Sequence, residues 1–281
     1  MNKDKLINIA RRTVSLASEK DIGVYAGNAT LFLITAMFPL IMLIVSIINL
    51  LPGYSPDSVM DQIFQYLPDF QSMKPFMEGV VENLKEETGS ILASISAITT
   101  LWSASSGVRA LQKGLKAIGN VENRTVKDII AALAFTVLLI LFIPIILIFT
   151  IFGDSLEGLL LQLASRIGHT GIINTLVDIV NIGAIIASVG GFFVLLFMYT
   201  YLPGVRRSLK VRLPGTIIVY VVVLLFTKLF SFYIPRFYNS SAIYGSLASL
   251  FLILMYLRLL VTLLLYGAAL NEAWKKEMFG N

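Results

Sequence analysis

Apolar residues along this chain come in long, nearly uncharged runs rather than in alternation or in one-sided stripes. A bilayer core of roughly 30 Å takes about 20 residues of helix. Six windows reach or approach that length: 31–51, 89–108, 129–152, 179–202, 213–234 and 242–270. With no water to satisfy a bare backbone in lipid, each run must be helical. The pattern predicts an all-α, polytopic membrane protein, a single membrane domain over 1–281 with spans at about 29–51, 89–108, 129–152, 178–202, 213–234 and 242–271. The second window is the weakest, rich in Ser, Ala and Thr, and its alternative is an amphipathic surface helix. Residues 1–28 gather Leu6, Ile9, Val14 and Leu16 on one helical face with basic residues elsewhere, predicting a helix on the cytoplasmic surface of the membrane. In 52–88, Val59, Ile63, Phe64 and Leu67, then Phe76, Val80, Val81 and Leu84, recur at helical spacing. Two short amphipathic helices broken between Pro68 and Pro75 are expected there, in an acidic external loop.

The charges between the runs give an independent reading of orientation. Lys3, Lys5, Arg11, Arg12 and Lys20 precede the first run, and Arg109, Lys113, Lys116, Arg124 and Lys127 follow the second. Arg206, Arg207, Lys210 and Arg212 follow the fourth, and Lys275 and Lys276 follow the last. The alternate loops hold only Lys74, Lys85, Arg166 and Arg236. Sixteen basic residues against four is the positive-inside asymmetry, which puts both termini in the cytoplasm. It also accounts for the net charge of +5 without nucleic acid as a partner.

Composition agrees. Hydrophobic residues make up 57% and charged residues 14%, where a soluble domain has roughly 45–50% and 25%. There is no cysteine and one histidine, His169, so thiolate chemistry and paired imidazoles are excluded. No phosphate-binding loop, nucleophile elbow, zinc-protease helix or dinucleotide fingerprint is present, and no cofactor or metal is expected. Leu-Pro-Gly occurs at 51–53, 202–204 and 213–215, a pattern read as helix stops, with a three-plus-three inverted repeat as the alternative.

Polar groups inside the runs are the candidate functional residues, because they are expensive in lipid. Arg258 falls about sixteen residues, roughly 24 Å, from the outer end of the last run, and Lys228 two turns inside the outer end of the fifth. Asp178 stands at the outer end of the fourth run, with Asn181 one turn deeper. For Lys228 and Asp178 the competing reading is snorkelling or a mutual ion pair; Arg258 is expected to face a cavity, a water file or a lipid headgroup. Asn28, and Thr99 or Thr100, sit in the small-residue segments 26–30 and 94–106, where close helix packing competes with a polar groove.

The run Tyr201-Leu202-Pro203, Arg212-Leu213-Pro214-Gly215, Phe230-Ser231-Phe232-Tyr233, Ile243-Tyr244-Gly245-Ser246-Leu247 and Tyr266-Gly267-Ala268-Ala269-Leu270-Asn271, with Ala36-Met37-Phe38-Pro39-Leu40 near the start, resembles the YihY/BrkB family of bacterial membrane proteins, historically mislabelled ribonuclease BN. The resemblance implies six membrane helices with both termini inside. It implies structural roles for Pro39, Pro203, Pro214, Gly215, Gly245, Gly267 and Asn271, and adds Tyr233 and Tyr244 to the candidate cavity residues. Ala269 stands where the family usually has Glu, with Glu272 just beyond, and Tyr256-Leu257-Arg258 where a Trp-x-Tyr is common. The expected function is transport or flipping of a lipid or other amphiphile of the envelope, with membrane lipids as partners. An envelope scaffold is the alternative, and a homo-oligomer or an envelope protein partner stays open. A ribonuclease is rejected: the inner basic loops carry almost no aromatic residues on which bases could stack.

Overall fold

The structure is a computed structural model that describes residues 3–49, 90–123, 125–151, 183–204, 208–238 and 245–280. The expected loop helices of 52–88, together with Asp178, Asn181, His169 and Tyr244, lie outside the described residues. The described residues are helical, in seven segments with no strand: α1 Lys3–Glu19, α2 Ile22–Asn49, α3 Ser90–Ile118, α4 Thr125–Ile151, α5 Gly183–Tyr201, α6 Leu209–Tyr238 and α7 Gly245–Phe279. Among these residues, two stretches are long and apolar enough to cross a membrane, Leu209–Phe230 and Phe251–Phe279; Ile22–Ala36 and Val189–Tyr201 are apolar but shorter.

Helices α2 to α7 form a ring. Each packs on its successor, α7 returns to α2 and also touches α3, and α1 lies on α7. The paired contacts show neighbours running antiparallel. Gly107 sits against Leu33 while Gly114 sits against Tyr25, so α3 descends as α2 climbs. Likewise Phe142 covers Gly190 and Phe135 stacks on Phe197 between α4 and α5. Between α6 and α7, Gly215 meets Asn271 while Phe230 meets Tyr256. The glycines permit this: a Cβ at Gly190 would stand 2.6 Å from the Phe142 ring. In lipid, where apolar surface has no reason to hide, close van der Waals packing is what holds helices together. The outer surface is correspondingly apolar, with Trp102 75%, Ile98 70% and Leu229 68% exposed. Soluble monomers rarely expose apolar surface of this extent.

Several helix ends differ from the sequence expectation. The N-terminal helix stops at Glu19, and Asp21, in the left-handed region at φ 45°, turns the chain directly into α2 at Ile22. Residues 22–28 therefore belong to the first long helix. On α1 the packed positions are Ile9, Thr13 and Ala17, whereas Leu6 and Val14 are exposed; the expected single face is divided between protein and surroundings. Helix α3 continues ten residues past the second apolar run, carrying Arg109, Lys113 and Lys116 out of the expected loop, because a basic residue paired or facing outward does not end a helix. The third Leu-Pro-Gly is no stop either. Pro214 and Gly215 lie within α6, while Gly204, at φ 73°, does end the turn after α5.

Candidate functional site

Two polar constellations interrupt the apolar interior. The first joins α3, α4, α5, α6 and α7 at the end where α5 stops and α6 starts. Lys116 on α3 is almost fully enclosed and donates to Asp128 Oδ1 on α4 at 2.6 Å and to the Glu122 carbonyl at 3.0 Å. One turn earlier, Gln112 Nε2 donates to the Leu202 carbonyl, closing the end of α5 at 2.8 Å. Tyr199, fully buried on α5, donates to the Leu264 carbonyl of α7 at 2.6 Å. Its ring and hydroxyl lie against Gly267, where a Cβ would collide with them and with Val219. Across the same crossing Asn271 Oδ1 accepts from the Gly215 backbone N–H at 2.9 Å, and a Cβ at Gly215 would stand 2.7 Å from the Gly267 carbonyl. Arg212 and Glu272 form an ion pair at 3.5 Å, both largely buried. Here the fully buried Ala269 leaves no carboxylate, and Glu272, one turn on, supplies it. Each of these side chains makes at least one bond to another part of the protein, although Arg212 Nε and Asn271 Nδ2 are buried without a hydrogen-bond partner, and the bonds mark the group as a fastening of helices.

The second constellation is a groove of about 480 Å³ between α2 and α7, lined by Gly27, Thr30, Leu31, Phe251, Leu254, Met255 and Arg258. The Arg258 guanidinium lies over Gly27, with Nη1 4.0 Å from where a Cβ would be. The Thr30 hydroxyl donates to Ala26 O at 2.7 Å, within its own helix. Beside the groove Thr262 does the same, donating to Arg258 O at 2.7 Å. Arg258, itself exposed, is thus the single charged group in the lining, with Thr30 its one other polar side chain. Among the described residues no carboxylate pairs with it, in contrast to Lys116 and Arg212. Its height is also informative. Gly27 is five residues past the start of α2, about 8 Å along that helix, so the guanidinium sits nearer the α1 end than its position in α7 alone suggests.

The remaining sequence candidates are dispersed. Lys228 and Asn28 are exposed and do not line the groove, and Thr99 donates within its own helix to Ile95 O at 2.7 Å. Beside Lys228, the Thr227 and Tyr256 hydroxyls lie 3.1 Å apart in a cluster of Phe226, Phe230 and Tyr256. Pro39 falls within α2 and Tyr233 within α6, Gly245 opens α7, and Pro203 is buried in the turn after α5. Gly215, Gly267 and Asn271 meet at one crossing. Sequence reasoning missed Tyr199, Gln112 and the Lys116–Asp128 pair. The one available signal was a lysine and an aspartate flanking a short interhelical turn.

A family model described as Virulence factor BrkB matches residues 13–280. The chain belongs to the BrkB family. A ribonuclease-like protein, YfkH of Bacillus subtilis (strain 168), is 25% identical over 249 residues, covering 88% of this chain and 87% of that one. No solved structure matches significantly. BrkB membership and the apolar helices together establish a membrane protein. Among the described residues of this BrkB protein no three His, Cys, Asp or Glu side chains gather as metal ligands.

Proposed function

We propose that this BrkB-family chain is a transporter- or flippase-like protein of the bacterial cytoplasmic membrane that handles a lipid or other amphiphile, with six spans and both termini in the cytoplasm. The observation that carries the reading is the α2–α7 groove, lined by apolar residues and Thr30 around one guanidinium without a protein counter-charge among the described residues. A guanidinium does not deprotonate in proteins, so a charge left in such a place is held ready for an anion or for water. Lys116 and Arg212, both buried, are matched by carboxylates, whereas Arg258 is exposed at the groove, where an anion from the surroundings can reach it. The protein is read as a non-enzyme. The name of the Bacillus relative describes that relative, and no nuclease chemistry is assigned to this chain.

A scaffold of the envelope is the second reading, favoured by the tight fastening around Tyr199, Gly215, Gly267 and Asn271. Arg258→Leu separates the two. A scaffold gains or loses little when an unpaired charge becomes a well-packed hydrophobe. A lipid handler that uses the charge loses function while still inserting. The expected outcome is normal expression and insertion of Arg258→Leu with at least about a tenfold loss in a lipid-movement or envelope-complementation assay, consistent with a charge-assisted contact of about 1.5–3 kcal/mol. Wild-type function in this variant would leave the scaffold reading standing.

A further inference from the structure

We infer that the α2–α7 groove is an oriented binding site for one anionic lipid, its phosphodiester headgroup at Arg258 and one acyl chain lying away from the α1 end. This rests on the lipid-handling reading and deepens it by naming the charge, the orientation and the leaflet. The groove is polar at one end only. Because α2 and α7 run antiparallel, the order Gly27, Thr30, Leu31 along α2 and the order Arg258, Met255, Leu254, Phe251 along α7 advance in the same direction. That direction leads from the α1–α2 turn towards the middle of the bundle. A molecule following it meets a cation first and then two turns of apolar α7 side chains, about 10 Å from Arg258 to Phe251.

A lipid of the leaflet that meets the α1–α2 turn has this same sequence of chemistry, charged head first and hydrocarbon inward. A lipid of the opposite leaflet would bring its tail to the guanidinium. The planar fork of Arg matches phosphate oxygens in a bidentate fashion, which selects an anion over a bare dipole. Gly27 keeps space open beside the fork, since the nearest atom to a Cβ there is Arg258 Nη1 itself. The volume of about 480 Å³ takes a headgroup and part of one chain, not a whole diacyl lipid. The second chain stays in the bilayer, beside the exposed Leu31 and Phe251 at the rim.

The test is native mass spectrometry of the purified full chain, delipidated and titrated with phosphatidylglycerol or with diacylglycerol of identical acyl chains, which lacks the phosphodiester. The wild type is expected to retain one phosphatidylglycerol with about a tenfold preference. Glycerol phosphate, which has the head without the chain, should not displace it. Arg258→Leu should bind both lipids equally, Arg258→Lys should keep part of the preference, and Gly27→Leu should lower retention of both by filling the groove. Gly27→Leu adds a good helix former in place of glycine, so its fold is expected to hold; unchanged melting in detergent checks both groove variants. Equal binding of both lipids by the wild type, full preference in Arg258→Leu, or undiminished retention in Gly27→Leu overturns the site. Binding as expected with lipid movement intact in Arg258→Leu refutes transport through the groove and leaves the binding site standing.

Discussion

Gly267 and Gly215 are the residues whose replacement the structure judges most severely. Adding one methyl at Gly267 drives it into the Tyr199 hydroxyl and Val219, and both stand on other helices that cannot yield independently. Overpacking of this kind costs about 1–3 kcal/mol. Gly267→Ala is therefore expected to lower the melting temperature in detergent, and Tyr199→Phe in that background should recover part of the loss by removing the nearest atom. No recovery would mean that Val219, or the backbone, takes the strain. The sequence singled out Gly215, Gly267 and Asn271 through a resemblance, but nothing in a linear pattern says that positions 52 and 56 residues apart meet at one crossing. Tyr199 was less legible still. An aromatic in an apolar run looks the same whether its hydroxyl meets a carbonyl of another helix or the headgroup region. Arg258 was legible because a charge within a hydrophobic run has few explanations. The groove beside it was not, since that depends on Gly27 of a helix more than two hundred residues away.

Among the helices, hydropathy located the runs and misjudged their ends. Helix α3 carries its last ten residues as an amphiphile, and the apolar window closes at Val108 although the helix does not. The Lys116–Asp128 pair explains how such an extension holds against α4. A lysine counted among cytoplasmic loop charges is enclosed at 3% side-chain exposure and neutralised across a short turn. Removing one partner of a buried pair strands the other and costs about 3–5 kcal/mol, whereas exchanging both for apolar residues is far milder. Asp128→Ala is accordingly expected to destabilise the protein strongly, and Lys116→Met with Asp128→Leu to restore most of the loss. Thermal unfolding of the two variants in the same detergent decides. A single variant as stable as the wild type would show that the pair is solvated.

For the whole molecule, the charge asymmetry and the antiparallel ring make a joint prediction of topology. Ser208, in the turn between α5 and α6 beside Arg206, Arg207 and Lys210, is expected on the cytoplasmic face. A cysteine there should resist an impermeant reagent in intact cells, while cysteines at Ser72 and Thr170 should react. Labelling at Ser208 would reverse the orientation, and with it the leaflet from which the groove is filled. The chain has no native cysteine to confuse the result.

The ring has one junction of a different kind from the rest. Wherever two helices consecutive in the chain pack together, the polypeptide itself ties them; α2 and α7 are the first and last members, and no loop joins them directly. Parting them like the two edges of a coat would break packing, including that of α7 on α3, rather than any loop between them, and the groove lies along that seam. Among the described residues the strap near it is α1, held to α2 by the turn at Lys20 and Asp21 and packed on α7, with Ile9, Thr13 and Ala17 buried. The N-terminal helix is then a buckle: its grip on α7 sets how readily the wall of the bundle unfastens towards the surrounding bilayer.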